Sequence, residues 1–141
     1  MNRQYGQRIR CFICKSPIKV VVSHNLQANT PELMLPLFNR LDSLMDDFKV
    51  NAKELFNCRG IHVPAVFTTH GLNNHFDATW PMTFWTAWYS MFYYDYYLYT
   101  QDTTFLKKRA LPFMEQSALF LRRFFTGRCQ REIYFQSLLL S

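Results

Sequence analysis

The sequence has a single Cys-x-x-Cys, Cys11 to Cys14, and no second one among its 4 cysteines. A structural zinc site needs four converging ligands, and no histidine pair at ligand spacing lies beside Cys11; only His70 and His75 are spaced that way. A thioredoxin-type redox pair needs a βαβ pattern around it, and none surrounds Cys11. The cysteines are therefore expected as free thiols of a reducing compartment, with no metal and no cofactor. Val20-Val21-Val22 is too short for a secretory hydrophobic core, so no signal peptide is expected and the chain as it stands reads as cytoplasmic. No repeat of fixed period occurs, which excludes a solenoid.

Acidic residues are missing from the first 22 positions, where Arg3, Arg8, Arg10, Lys15 and Lys19 stand alone. Another small excess lies at the end, with Arg128 and Arg131 against Glu132. Between Ser23 and Gly127 the basic and acidic residues balance, so the formal charge of +6 belongs to the two ends. A nucleic-acid surface is a basic stripe on a folded element. Since the excess shows no amphipathic period, nucleic acid is not expected as a partner.

What is present is apolar and aromatic. The 141 residues, 49% hydrophobic and 18% charged, suit one globular domain rather than a disordered chain. Aromatics reach 18%, and such side chains either fill thick helical cores or line sugar clefts, a choice that composition leaves open. Residues 1–22 show no regular period and stay unassigned. Organised sequence begins at Thr30-Pro31-Glu32, with Thr30 as N-cap and Pro31 at the first helical position, although Pro36 can delay the start by a turn. Leu37, Phe38, Leu41, Leu44, Met45 and Phe48 then recur at helical spacing. A second helix, Asp47 to Asn57, is predicted to bury Ala52, Leu55 and Phe56 and to end where Gly60 takes the left-handed conformation.

From Ile61 to Thr79 runs a long polar connection, and connections of that length inside a domain are often functional. The next helix, Trp80 to Tyr99, is apolar nearly all round, with Asp95 as the only charge between Ala78 and Gln101. Such a helix is either enclosed by other helices or spans a membrane. Tyrosines spread along its length, polar Thr83, Thr86 and Ser90 at its centre, and Asp95 all argue against a membrane. The enclosed reading makes Trp85 and Trp88 core residues. Asp102 is the N-cap of the last helix, which is predicted to bury Phe105, Leu106, Ala110, Phe113, Met114, Ala118, Leu121 and Phe125, to carry Glu115 near that face and to end at Gly127. Beyond it, Ile133-Tyr134-Phe135 reads as a short strand.

Several segments recur in order: Asn51 to Gly60 ending Cys58-Arg59-Gly60, then Thr69-His70-Gly71, then Trp80-Pro81-Met82, then Tyr94 to Asp102, then Arg109-Ala110-Leu111-Pro112-Phe113-Met114. Together they make Ser23 to Gly127 resemble glycoside hydrolase family 95, which contains α-L-fucosidases and related exo-glycosidases. The resemblance implies an all-α fold, part of an (α/α)6 barrel of six-hairpin glycosidase type, built here from three to four helices with irregular ends. It divides the chain into a basic segment 1–22, a partial barrel domain 23–127 and a divergent tail 128–141. In such a barrel the loop before an inner helix lines the cleft. His70, Asn73, Asn74, His75, Asp77 and Trp80 are therefore the candidate substrate-binding residues, since sugar hydroxyls need amide, imidazole or carboxylate partners and sugar faces stack on indole. The structural alternative for His70 is to satisfy loop backbone.

The resemblance also implies parts that this chain does not show. Inverting hydrolysis needs a general acid and a separate base. The acid would follow Gly127, where Glu132 is the only carboxylate and a Ser-Pro-Glu-Asn-like motif is missing; an Asn-rich motif is missing before Leu33; the base would lie beyond Ser141. No catalytic residue is assigned. Twelve helices of about 12 residues each exceed the chain's length, so the expected function is that of a fragment of a carbohydrate-cleaving domain, inactive alone. The alternative is a non-enzymatic helical protein that self-associates through aromatic faces.

Overall fold

A computed structural model describes residues 24–65, 69–73 and 83–129. Every regular element among them is helical. After a helical turn at 24–27, the 3₁₀ turn Pro31–Met34 leads into α1 (Leu35–Ser43), followed by α2 (Met45–Phe56), α3 (Phe84–Thr100) and α4 (Leu111–Phe125). This is the partial helical barrel that the resemblance implies.

The start of α1 falls at its proline. Pro36 sits in the first turn, where a missing N–H has no intrahelical acceptor to forgo. Thr30 caps no helix with its side chain; its hydroxyl instead donates to the Asn25 carbonyl at 3.1 Å. The end of α2 differs from expectation as well. Asn57, not Gly60, takes the left-handed conformation (φ 47°), and the Asn57 and Cys58 amides donate to the Lys53 and Ala52 carbonyls at 2.8 and 3.0 Å. Asparagine tolerates this conformation better than most side chains. Gly60 is needed for another reason: at φ 104° its backbone lies so close to α4 that a Cβ would sit 2.5 Å from the Gln116 carbonyl oxygen.

Asp102 caps the last helical run as predicted, accepting from the amides of Thr104 and Phe105 at 2.9 and 3.0 Å. A short α-helical turn, Thr103–Phe105, then passes through a π-helical turn, Leu106–Ala110, into α4. Pro112 accounts for the wider turn. It has no N–H for the Lys108 carbonyl and its ring crowds that oxygen, which an extra residue in the preceding turn relieves.

The core is aromatic. Phe38, Tyr93 and Phe113 are fully buried, with Tyr93 stacked on Phe113 at 4.5 Å and tilted against Phe38 at 4.5 Å. Phe105 closes the group against Tyr96 at 4.4 Å. Burying each such ring contributes roughly 2–3 kcal/mol, so this cluster holds α1, α3 and α4 together. The Tyr93 hydroxyl is tied down: it donates to Asp42 at 2.5 Å, and Arg109 donates to the other oxygen of Asp42 at 2.6 Å and to Asn39 at 2.9 Å. Burial pushes the Tyr93 phenol up, with the Asp42 hydrogen bond and charge adding to it, so the ring stays neutral.

A second, smaller cluster gathers Ala52, Phe56, Phe120 and the pair Cys58 and Cys129. These two cysteines, 71 residues apart, form a disulfide across a Cα–Cα distance of 5.1 Å, which corrects the expectation of free thiols at both positions. Cys11 and Cys14 lie outside the described residues, as do Ile133-Tyr134-Phe135.

Two expectations about faces also need correction. α3 is not enclosed all round: Thr86, Tyr89, Phe92, Tyr93 and Tyr96 are buried, whereas Phe84, Met91, Tyr94, Leu98 and Tyr99 are exposed. Trp85 and Trp88 pack against the main core only partly buried. On α4, Phe113, Ser117 and Phe120 form the buried row, while Ala118 and Phe125 are exposed and Glu115 points to solvent. The predicted stripe holds at Phe105, Ala110 and Phe113, and from there the buried row keeps the helical period through Ser117 and Phe120, one position before the predicted Ala118 and Leu121.

Candidate functional site

The long connection between α2 and α3 is organised by α2. Asp47, Phe48 and Asn51 lie about one turn apart, and each supplies a polar group to the connection. The Phe48 carbonyl accepts from the His62 amide at 2.9 Å. Asp47 accepts from the Gly71 amide at 2.8 Å. Asn51, only 4% exposed, does three things: its Nδ2 donates to the Gly71 carbonyl at 2.7 Å and to the His62 carbonyl at 3.3 Å, and its Oδ1 accepts from the Asn73 amide at 2.9 Å. Arg40 of α1 adds a hydrogen bond to the Thr69 carbonyl. From the other side, Thr86 of α3 accepts from the Val63 amide at 3.0 Å.

Gly71 permits this approach. A Cβ there would lie 2.9 Å from both Asp47 Cβ and Phe48 Cε1, so any other residue would push the connection off α2. Residues 61–65 and 69–73 are thus fixed by buried polar groups rather than by helix or sheet, as a connection within a domain must be.

On this support the sequence candidates separate. His70 is exposed, and among the described residues it is Asp47 and Asn51 that hold the backbone of this stretch. Asn73 is partly buried, with its backbone amide on Asn51. The structure therefore brings His70 and Asn73 to one rigid stretch. Asn74, His75, Asp77 and Trp80 lie outside the described residues.

Sequence reasoning missed Asn51 and His62. Asn51 falls in the helical period as an ordinary polar residue, and only its spacing one turn from Asp47 hints at a shared task. His62 is 1% exposed, set edge-on to Phe56 at 4.9 Å and tilted against Phe120 at 5.4 Å. Desolvation lowers its imidazole from 6.5 to about 4, and among the described residues Nδ1 has no hydrogen-bond partner. It is a neutral residue packed into the second cluster.

The described carboxylates have structural roles or face solvent. Asp42 holds Tyr93 and Arg109, Asp46 pairs with Lys49, Asp47 holds Gly71 and Asp102 caps a helix. Glu32, Glu54 and Glu115 are exposed. Asp95 is partly buried, and desolvation raises its carboxyl above the usual range. Among the described residues no group of three His, Cys, Asp or Glu side chains could hold a metal ion, and no helix is long and apolar enough to cross a membrane. A concavity of about 370 Å³ lies elsewhere, between the end of α2 and α4, and none of the sugar candidates lines it.

The family model for the glycosyl hydrolase family 95 catalytic domain matches residues 24–140. No curated protein and no solved structure matches the chain.

Proposed function

The chain belongs to glycosyl hydrolase family 95, and we propose that it is a portion of an α-L-fucosidase-type catalytic domain that contacts a terminal sugar through the connection before α3 and does not hydrolyse it alone. The observation that carries this reading is the buried Asn51 clamp. Two hydrogen bonds of one enclosed side chain hold Gly71 and Asn73, a third holds the His62 carbonyl, and a support of that kind is what a sugar-binding loop needs. His70 and Asn73 would meet sugar hydroxyls there, with Asn74, His75, Asp77 and Trp80 following in the same connection.

The expected inactivity follows from what glycoside hydrolysis demands. Two carboxyl groups must flank the bond, roughly 5–10 Å apart, with one held protonated. Asp95 has the raised carboxyl of an acid, yet it stands on a helix with no other charge from Ala78 to Gln101. Purified chain assayed against aryl α-L-fucoside and a panel of aryl glycosides should show no turnover above buffer, while fucose should raise its melting temperature. Robust turnover refutes the inactivity; stabilisation by other sugars but not by fucose refutes the specificity.

A second reading rests on the open face of α3. Phe84, Met91 and Leu98 are spaced at helical intervals and are 45%, 60% and 46% exposed. An apolar row of that kind favours self-association. A discrete oligomer indifferent to sugar, dispersed by Met91→Glu, would support it over the first reading.

A further inference from the structure

The turn that ends α2 builds a positively charged concavity that the sugar-binding connection does not use. Lys49 and Lys53 lie one turn apart on α2, Arg59 follows in the turn, and Gln116 faces them from α4 across a space of about 370 Å³. Asn57 and Gly60, both at positive φ, bend the chain back so that the Ile61 amide reaches the Gln116 carbonyl at 3.3 Å. The cations come from α2 and from the turn that follows it, and α4 closes the space with Gln116. Among the described residues no carboxylate lines the space.

The ordinary role of cations at a helix end is to satisfy its last carbonyls. Here the Ala52 and Lys53 carbonyls already accept from Cys58 and Asn57. Lys49 is tied to Asp46 at 2.9 Å. Lys53 and Arg59, both exposed, have no ion pair or hydrogen bond among the described residues. These two uncommitted cations line one concavity with Gln116. A guanidinium fork with an adjacent ammonium suits a tetrahedral oxyanion, the fork giving paired hydrogen bonds and the ammonium a point charge.

We infer that this concavity binds an oxyanion group, sulfate or phosphate, either free or as an ester on a carbohydrate. Lys53 and Arg59 hold the charge and Gln116 supplies an amide donor. The inference is independent of the sugar-binding proposal, because the two sites share no residue.

The test is titration of the full chain with sodium sulfate, inorganic phosphate, glucose 6-sulfate and neutral glucose, followed by calorimetry and by amide shifts. Saturable binding of the anions, weakened by added sodium chloride, is expected, with neutral glucose leaving the shifts of Arg59 and Gly60 unmoved. The exposed pair Lys53→Ala with Arg59→Ala should keep the melting temperature and lose at least tenfold in affinity. The remote exposed pair Lys107→Ala with Lys108→Ala should keep it. Glucose 6-sulfate binding tighter than inorganic sulfate identifies a carbohydrate ester as the ligand, and the reverse order identifies the free ion. Absence of saturable binding by every anion, or equal loss in both double variants, overturns the inference.

Discussion

Replacing Asn51 by alanine removes the clamp beneath the α2 to α3 connection. The substitution deletes hydrogen bonds of 2.7, 2.9 and 3.3 Å from a side chain that is 4% exposed. A lost neutral hydrogen bond costs about 1 kcal/mol net, and a buried partner left unsatisfied costs about 1–3 kcal/mol. Asn73 is partly buried and can regain water, while the Gly71 carbonyl sits in a buried residue. The 3.3 Å bond is weak, so the sum is about 3–4 kcal/mol, a large share of the 5–15 kcal/mol that holds a typical domain. The urea midpoint should fall with the slope unchanged, and protease should cut at 69–73 far faster than in the parent. Asn51→Asp sharpens the test. It keeps the acceptor for the Asn73 amide but sets a carboxylate oxygen against the Gly71 carbonyl, so at neutral pH it should be at least as unstable as the alanine variant. Acid should narrow its deficit relative to the parent measured at the same pH, because protonation restores a donor. An alanine variant within about 0.5 kcal/mol of the parent would refute the clamp.

Other perturbations have equally definite outcomes. His62 is held neutral, with a folded value of about 4 against 6.5 unfolded, so its contribution is fully present above pH 6.5 and is lost as pH falls towards 4. The loss amounts to roughly 3 kcal/mol; thermal melts across that window should show it, and His62→Leu should flatten the acid limb. Gly60→Ala places a methyl 2.5 Å from the Gln116 oxygen at φ 104° and should cost more than about 2 kcal/mol in a denaturant melt. Reducing Cys58–Cys129 opens a 71-residue loop and should cost about 4 kcal/mol by chain entropy, read as a lower melting temperature in dithiothreitol. Tyr93→Phe leaves Asp42 with Arg109 but removes its phenol donor, and should cost about 1–2 kcal/mol by the same assay.

Much of the helical layout was legible without coordinates because it depends on neighbours in sequence. The period through Phe38, Leu41, Leu44 and Phe48, the cap at Asp102 and the proline near the start of α1 are local signals, and each is found where its chemistry puts it. The ordered motifs likewise carried the family without any structure. Of the site, His70 and Asn73 were legible as polar residues of a long connection, but the support beneath them was not. Asn51 reads as one more polar position on a helix until the chain folds back and brings Gly71 and Asn73 against it. The disulfide was hidden for the same reason, since spacing says nothing of two cysteines that meet only when α2 and α4 pack.

The sequence by itself determined that the chain is helical, that Asp102 caps its last helical run and which family it joins, since helix propensity, capping and motif order act over a few residues. Tertiary structure alone decided which face of α3 stays open, which row of α4 is buried, and that Asp47 and Asn51 hold the α2 to α3 connection while His62 lies neutral in the core. Those outcomes depend on contacts between residues far apart in the chain, whose partners are set by the packing of whole helices and not by any local pattern.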